Sequence, residues 1–98
     1  MIEILYRVLV KDGRETEFSE LVEKTLMPEA KKFSGCKLFS LFQNRDKKRE
    51  FIFYEKWDKE QSVLEYKQKL ITLLGDPKPG EEFPEAMNNL IEEDEDLI

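Results

Sequence analysis

The sequence predicts an α+β fold: an antiparallel sheet with both helices on one face, in the ferredoxin-like order β-α-β-β-α-(β). Three observations lead there. Residues 2–10 and 36–43 alternate at the two-residue period of a strand, and residues 14–32 and 58–74 repeat apolar side chains at helical spacing. Between them Phe51-Ile52-Phe53-Tyr54-Glu55-Lys56-Trp57 reads as a strand with large apolar residues on both faces, Phe51, Phe53 and Trp57 on one and Ile52 and Tyr54 on the other. Two helices cover only one face of a small sheet, so the second face is expected to meet another copy of the chain, as a homodimer.

The first strand sets Ile2, Ile4, Tyr6, Val8 and Val10 against Glu3, Leu5, Arg7 and Leu9. Lys11-Asp12-Gly13 ends it in a turn. Phe18, Leu21, Val22, Thr25, Leu26 and Ala30 then make one helical stripe, with Glu15 and Glu17 near the N-terminal end, where the helix dipole favours acids. Pro28 lies inside this helix; it lacks the N–H that the ladder needs and should kink or restart it. After Ser34-Gly35 the second strand alternates Cys36, Leu38, Ser40 and Phe42 with Lys37, Phe39, Leu41 and Gln43, and the polar run 44–49 reads as a hairpin loop into the aromatic strand. Asp58 and Gln61 have capping-box spacing, and Val63, Leu64, Lys67, Leu70, Ile71 and Leu74 follow as the stripe of the second helix, which Gly75 stops. The organisation expected is one domain over 1–98: a core of 1–74, a loop and short helical turn at 75–88, and an acidic end at 89–98 that is either a fourth strand or a tail.

A chain of 98 residues can build a core without staples. Cys36 is its only cysteine, so no disulfide forms within it, and a lone thiol suits the reducing cytoplasm. No apolar run approaches the roughly 20 residues of a membrane helix, and no signal peptide is read in Met1–Arg7. The net charge of −6 is uneven: residues 81–98 hold eight acids and no base, leaving sixteen bases against fourteen acids, +2, over 1–80. Scattered lysines and an acidic end do not make a phosphate-binding surface, so neither nucleic acid nor membrane is an expected partner. The lack of histidine removes the commonest metal ligand and general base, along with Ser-His and Cys-His nucleophile pairs, and no zinc site is expected.

The first strand, Lys11-Asp12-Gly13 before the first helix, Phe33-Ser34-Gly35-Cys36 before the second strand and Tyr54-Glu55-Lys56-Trp57 before the second helix carry a family likeness in their order and spacing. Over residues 1 to about 74 the chain resembles the antibiotic biosynthesis monooxygenase (ABM) family of the dimeric α/β-barrel superfamily. The resemblance implies two subunits with their sheets face to face in a barrel, in which a C-terminal strand commonly crosses to the other subunit. It also implies an activity among cofactor-independent oxygenases of aromatic polyketides, quinol oxygenases and haem-degrading enzymes, between which the fold does not choose. Haem-degrading relatives use an asparagine on strand one, a tryptophan early in helix two and a histidine ligand near its end. The matching positions here are Tyr6, Tyr66 and approximately Asp76, and haem ligation of that kind has no histidine to use. Many relatives carry a histidine at the position of Tyr66. Polyketide-oxidising relatives match Trp57 but have an asparagine where this chain has Phe53.

The candidate site is Glu55 as catalytic base in a pocket of Tyr6, Phe53, Trp57 and Tyr66. Glu55 shares a face with Phe53 and Trp57 and so points under the helices, where burial raises a carboxyl pKa and lets it take a proton from a phenol or hydroquinone. Its plainer role is a carboxylate paired with a lysine or left at a solvated rim. Trp57 either stacks on an aromatic substrate or fills the junction of sheet and helix, the commoner fate of a large aromatic. Tyr6 and Tyr66 either offer hydroxyls to a substrate oxygen or simply pack. Cys36 reads as an inert small apolar residue, and Arg45, Lys47, Lys48 and Arg49 as a solvated loop able to meet a partner's acidic end. The function expected is oxygenation of a small electron-rich aromatic with no cofactor. The alternative is a non-catalytic dimeric binding or interaction protein that keeps the fold, and an isomerase or sugar-handling activity is a third class.

Overall fold

A computed structural model describes residues 1–81 and 83–98. Four strands, β1 (Ile2–Val10), β2 (Cys36–Gln43), β3 (Glu50–Trp57) and β4 (Ile91–Asp96), make one antiparallel sheet in the order β2-β3-β1-β4. α1 (Glu15–Leu21), a π-helical turn (Val22–Leu26) and α2 (Met27–Lys31) join β1 to β2; α3 (Glu60–Leu74) follows β3, and the short α4 (Glu85–Asn88) precedes β4. The order is the ferredoxin-like one, and the acidic end is a strand that pairs Tyr6 with Asp96 and Val8 with Asp94. No helix among the described residues is long and apolar enough to cross a membrane.

The register of the two central strands builds the core. Ile2 lies opposite Trp57, Ile4 opposite Glu55, Tyr6 opposite Phe53 and Val8 opposite Phe51, so the alternating side chains of both strands share the helix-facing side. Phe18 of α1 packs onto it with ring centroids 5.0 Å from Phe51 and 6.0 Å from Phe53, and Val8, Val10, Phe18, Val22, Ala30 and Trp57 are wholly buried. Pro28 falls in the first turn of α2, directly after the π turn. Leu26 and Met27 keep right-handed helical backbone, so the missing N–H is absorbed by one wider turn and the helix does not break.

Three local expectations are corrected. A bulge between Cys36 and Leu38 sets Cys36 opposite Trp57 and Phe39 opposite Glu55, so Cys36 shares the helix-facing side with Phe39 and not the open side with Leu38. The N-cap of α3 is Lys59, in extended conformation, and not Asp58. The Gly35 carbonyl accepts the Asp58 N–H at 2.8 Å and holds that residue in line with the strand; its Oδ1 accepts the Ser62 hydroxyl at 2.6 Å, and Gln61 turns to Glu65 instead of closing a capping box. A Cβ on Gly35 would stand 2.5 Å from both Asp58 Oδ1 and Ser62 Oγ, which is why the strand-to-helix corner requires glycine. Finally, the buried stripe of α3 is Val63, Tyr66 and Leu70, whereas Leu64 is half exposed on the flank.

The other side of the sheet is half covered. Leu5, Leu9, Leu38 and Ile52 are partly exposed there and Phe42 is 55% exposed, beside an ion cluster in which Arg7 Nε reaches Glu50 at 2.7 Å and Arg7 Nη1 reaches Glu93 and Glu95 at 3.4 and 3.7 Å. In the 44–49 loop Asn44 Oδ1 accepts the N–H groups of Asp46 and Lys47, an Asx turn. The last base of that loop, Arg49, meets the acidic strand of its own chain, with Nη2 2.7 Å from Glu92.

Candidate functional site

Between the helix-facing side of the sheet and α3 lies a cavity of about 120 Å³. The sheet supplies Ile4, Tyr6, Phe39, Phe53 and Glu55 to its floor; α3 supplies Val63, Tyr66, Lys67, Leu70 and Ile71; Phe83, Pro84 and Met87 close a third side. Strand register explains the floor. Glu55 has Ile4 opposite it on one neighbouring strand and Phe39 on the other, so a carboxylate stands between two apolar side chains. The wall from α3 follows helical spacing, with Val63, Lys67, Leu70 and Ile71 on one flank.

Glu55 is largely buried, and desolvation pushes its carboxyl above the usual carboxylate range. Two effects oppose the rise: Trp57 Nε1 donates to Glu55 Oε1 at 2.9 Å, and the Lys67 ammonium attracts the anion through space. Among the described residues the second oxygen, Oε2, has no hydrogen-bond partner within the protein. The arrangement is a general base or acid with one oxygen anchored, on the floor of a largely apolar cavity.

The tyrosines are placed differently from one another. Tyr66 is buried, its hydroxyl donating to the Leu26 carbonyl at the end of the π turn at 2.9 Å, and its ring tilted against Trp57 at 5.1 Å. Burial first, and then the nearby Glu55 carboxylate, push its pKa up, so it stays a phenol. Tyr6 lies nearer the rim; its hydroxyl donates to Asp94 at 2.6 Å and its ring meets Phe83 edge-on at 5.3 Å. Cys36 is partly buried and its thiol is pushed up, chiefly by desolvation and also by Glu55. Among the described residues no three His, Cys, Asp or Glu side chains stand together as a metal site.

Of the residues read from sequence, Tyr6, Phe53, Glu55 and Tyr66 line one cavity. Trp57 does not. It is wholly buried one layer behind, because its indole fills the space between β3 and Phe33, 6.4 Å away, and it supports the site through its hydrogen bond to Glu55 and its packing against Tyr66. Sequence reasoning missed Lys67 as a wall residue and the whole Phe83–Met87 side. The available signal for the latter was a small apolar cluster, Phe83, Met87 and Leu90, inside an acidic stretch.

An antiparallel sheet of this order, with helices on one face and a cavity between them, defines an α+β protein of the ferredoxin-like class. The family model described as antibiotic biosynthesis monooxygenase matches residues 1–70, and the chain belongs to that family. Comparison with curated proteins gives no match. Among solved structures, a Nitrosomonas europaea protein described as a candidate antibiotic biosynthesis monooxygenase has a TM-score of 0.78 at 14% identity, over 97% of this chain and 84% of its own. A Pseudomonas aeruginosa protein has a TM-score of 0.74 at 14% identity, over 95% and 85% of the two chains. One from Shewanella oneidensis has 0.73 at 18% identity, over 95% and 82%. At these identities the likeness is one of fold.

Proposed function

We propose that the chain is a monooxygenase that oxidises a small, electron-rich, single-ring aromatic, a phenol or hydroquinone, with Glu55 as base and no cofactor. The observation that supports it best is Glu55 itself, a carboxylate of raised pKa with one oxygen free toward an apolar, aromatic-lined cavity. The cavity, about 120 Å³ against the roughly 150 Å³ of one that holds benzene, leaves room for no more than a single ring. Glu55 takes the proton of the substrate hydroxyl, and the phenolate so formed is the electron donor. Dissolved dioxygen is the oxidant. A ring carbon forms a bond to it, the C–H proton leaves, and cleavage of the O–O bond puts one oxygen in the new carbonyl and the other in water. Tyr6, Phe53 and Tyr66 hold the ring, and Trp57 orients the base.

Aerobic incubation with single-ring phenols and hydroquinones, followed by an oxygen electrode and by quinone absorbance, should show one dioxygen consumed per molecule of quinone formed. No uptake above the uncatalysed rate across such a panel would sink the enzymatic reading and favour a binding protein of the same fold.

The partner proposed is a second copy seated on the open sheet face, supported by the apolar strip of Leu5, Leu9, Leu38, Phe42 and Ile52 and by the family's paired sheets. Sedimentation equilibrium should give a dimer for the wild type and a monomer for Ile52→Asp; a monomeric wild type at micromolar concentration would refute it. One free thiol suits a reducing, cytoplasmic setting for such a dimer.

A further inference from the structure

We infer that Lys67 makes the cavity select an aromatic bearing an anionic group on its ring, a phenolic acid, by setting a cation on the wall of the cavity whose floor carries the Glu55 carboxylate. The inference rests on the reading of this cavity as the substrate site. Among the described lining residues Lys67 is the only cation and Glu55 the only carboxylate. Every other polar side-chain group at the site among the described residues is engaged: the Tyr66 hydroxyl with Leu26, the Tyr6 hydroxyl with Asp94, and the Trp57 indole with Glu55 Oε1. What remains is one acceptor, Glu55 Oε2, and one multiple donor, the Lys67 ammonium.

Lys67 contrasts with the other lysines near acids. Lys24, Lys32 and Lys56 each stand within 4 Å of a carboxylate, at 3.7, 2.8 and 3.8 Å from Glu20, Glu29 and Glu3. Among the described residues no such contact ties Lys67, whose influence on Glu55 acts at longer range. One turn of α3 before it lies Val63 and one turn after it Ile71, both on the cavity wall, so the stem of Lys67, an otherwise exposed side chain, borders the apolar lining.

A ring that hands its hydroxyl to Glu55 Oε2 and its carboxylate to Lys67 satisfies both groups. A neutral ring satisfies only the first. The pairing is made at the edge of an apolar space, where a charge-assisted hydrogen bond is stronger than in water. On a chain of net charge −6 the surface at large repels an anion, which makes a local cation decisive for such a ligand.

Gentisate, a hydroquinone with one carboxylate, and gentisyl alcohol, the same ring with a neutral hydroxymethyl, separate the two cases. Their dissociation constants are read anaerobically from the fluorescence of Trp57, the only tryptophan, which is bonded to Glu55. Wild-type protein should bind gentisate about tenfold or more tightly than the alcohol, with the gap narrowing as salt is added. Lys67→Met keeps most of the stem and removes the charge; it should weaken gentisate far more than the alcohol and so abolish the preference, while Lys67→Arg should keep the preference. Equal affinity for the two rings in the wild type, an equal loss for both on Lys67→Met, or no gentisate binding at millimolar concentration would each overturn the inference. Because the titration reads binding alone, a protein that prefers gentisate but consumes no oxygen would sink the monooxygenase reading only. One that oxidises neutral hydroquinones without the preference would sink the role of Lys67 only.

Discussion

Glu55→Gln should leave a folded protein whose oxidation rate is lower by about 10²- to 10⁴-fold, the usual contribution of a positioned general base. Glutamine keeps the size of the side chain and an oxygen able to accept the Trp57 indole hydrogen at the position it now occupies, 2.9 Å from Glu55 Oε1. What it cannot do is take a proton. The pH dependence follows from the direction of the shift. Burial raises the Glu55 pKa, so the group binds its proton more tightly folded than unfolded. Its stabilising contribution is therefore complete below the unfolded-state pKa and is lost as pH rises through the folded one. Above the folded-state pKa the ionised carboxylate weakens the fold, and the glutamine variant should melt at or above the wild-type temperature there, with the advantage fading in acid. The wild-type rate should fall on the acid side at a pH above the ordinary carboxylate range, since only the ionised form is a base. A variant within a factor of a few of the wild-type rate would remove Glu55 from the chemistry.

Trp57→Ala should cost about 3–5 kcal/mol in stability, read as a shift of the denaturant midpoint, because it removes the largest wholly buried side chain and leaves a void between Phe33 and Tyr66. Its second effect is electrostatic. The indole N–H favours the ionised Glu55, so its loss should move the acid limb of the rate to still higher pH. Trp57→Phe separates the two, keeping a ring in the core while deleting the donor. It should cost less stability than the alanine change yet move the acid limb in the same direction. An unmoved limb in Trp57→Phe would mean that the indole packs without tuning the base.

The floor of the cavity is legible in the sequence because strand alternation is a property of the backbone. Once 2–10 and 51–57 are strands, Tyr6, Phe53 and Glu55 must share faces in the way the register shows. Tyr66 reaches the same space, but the helical stripe read from the sequence passes it by, and only its matched position in the family pointed there. Three features leave no such trace. A bulge adds one residue without altering composition, so the side on which Cys36 lies could not be read from alternation. The start of α3 is decided by the Gly35 carbonyl, a contact distant in sequence that overrides the local capping pattern at Asp58. Lys67 falls on the helical stripe in the sequence, but nothing there marks it as a site residue until Phe83 and Met87 arrive from the far end of the chain to make its surroundings a wall.

β4 is the outermost strand of the sheet, and from Glu92 to Asp96 every one of its residues is an acid. An outer strand offers its free backbone groups as a template to whatever extended segment comes near. Here any newcomer must first approach five carboxylates in a row. An acidic segment, another copy of the same strand included, is repelled, which disfavours zipping of two such strands edge to edge. Only a segment rich in lysine or arginine would find the approach downhill, and charge would admit or refuse it before shape was consulted.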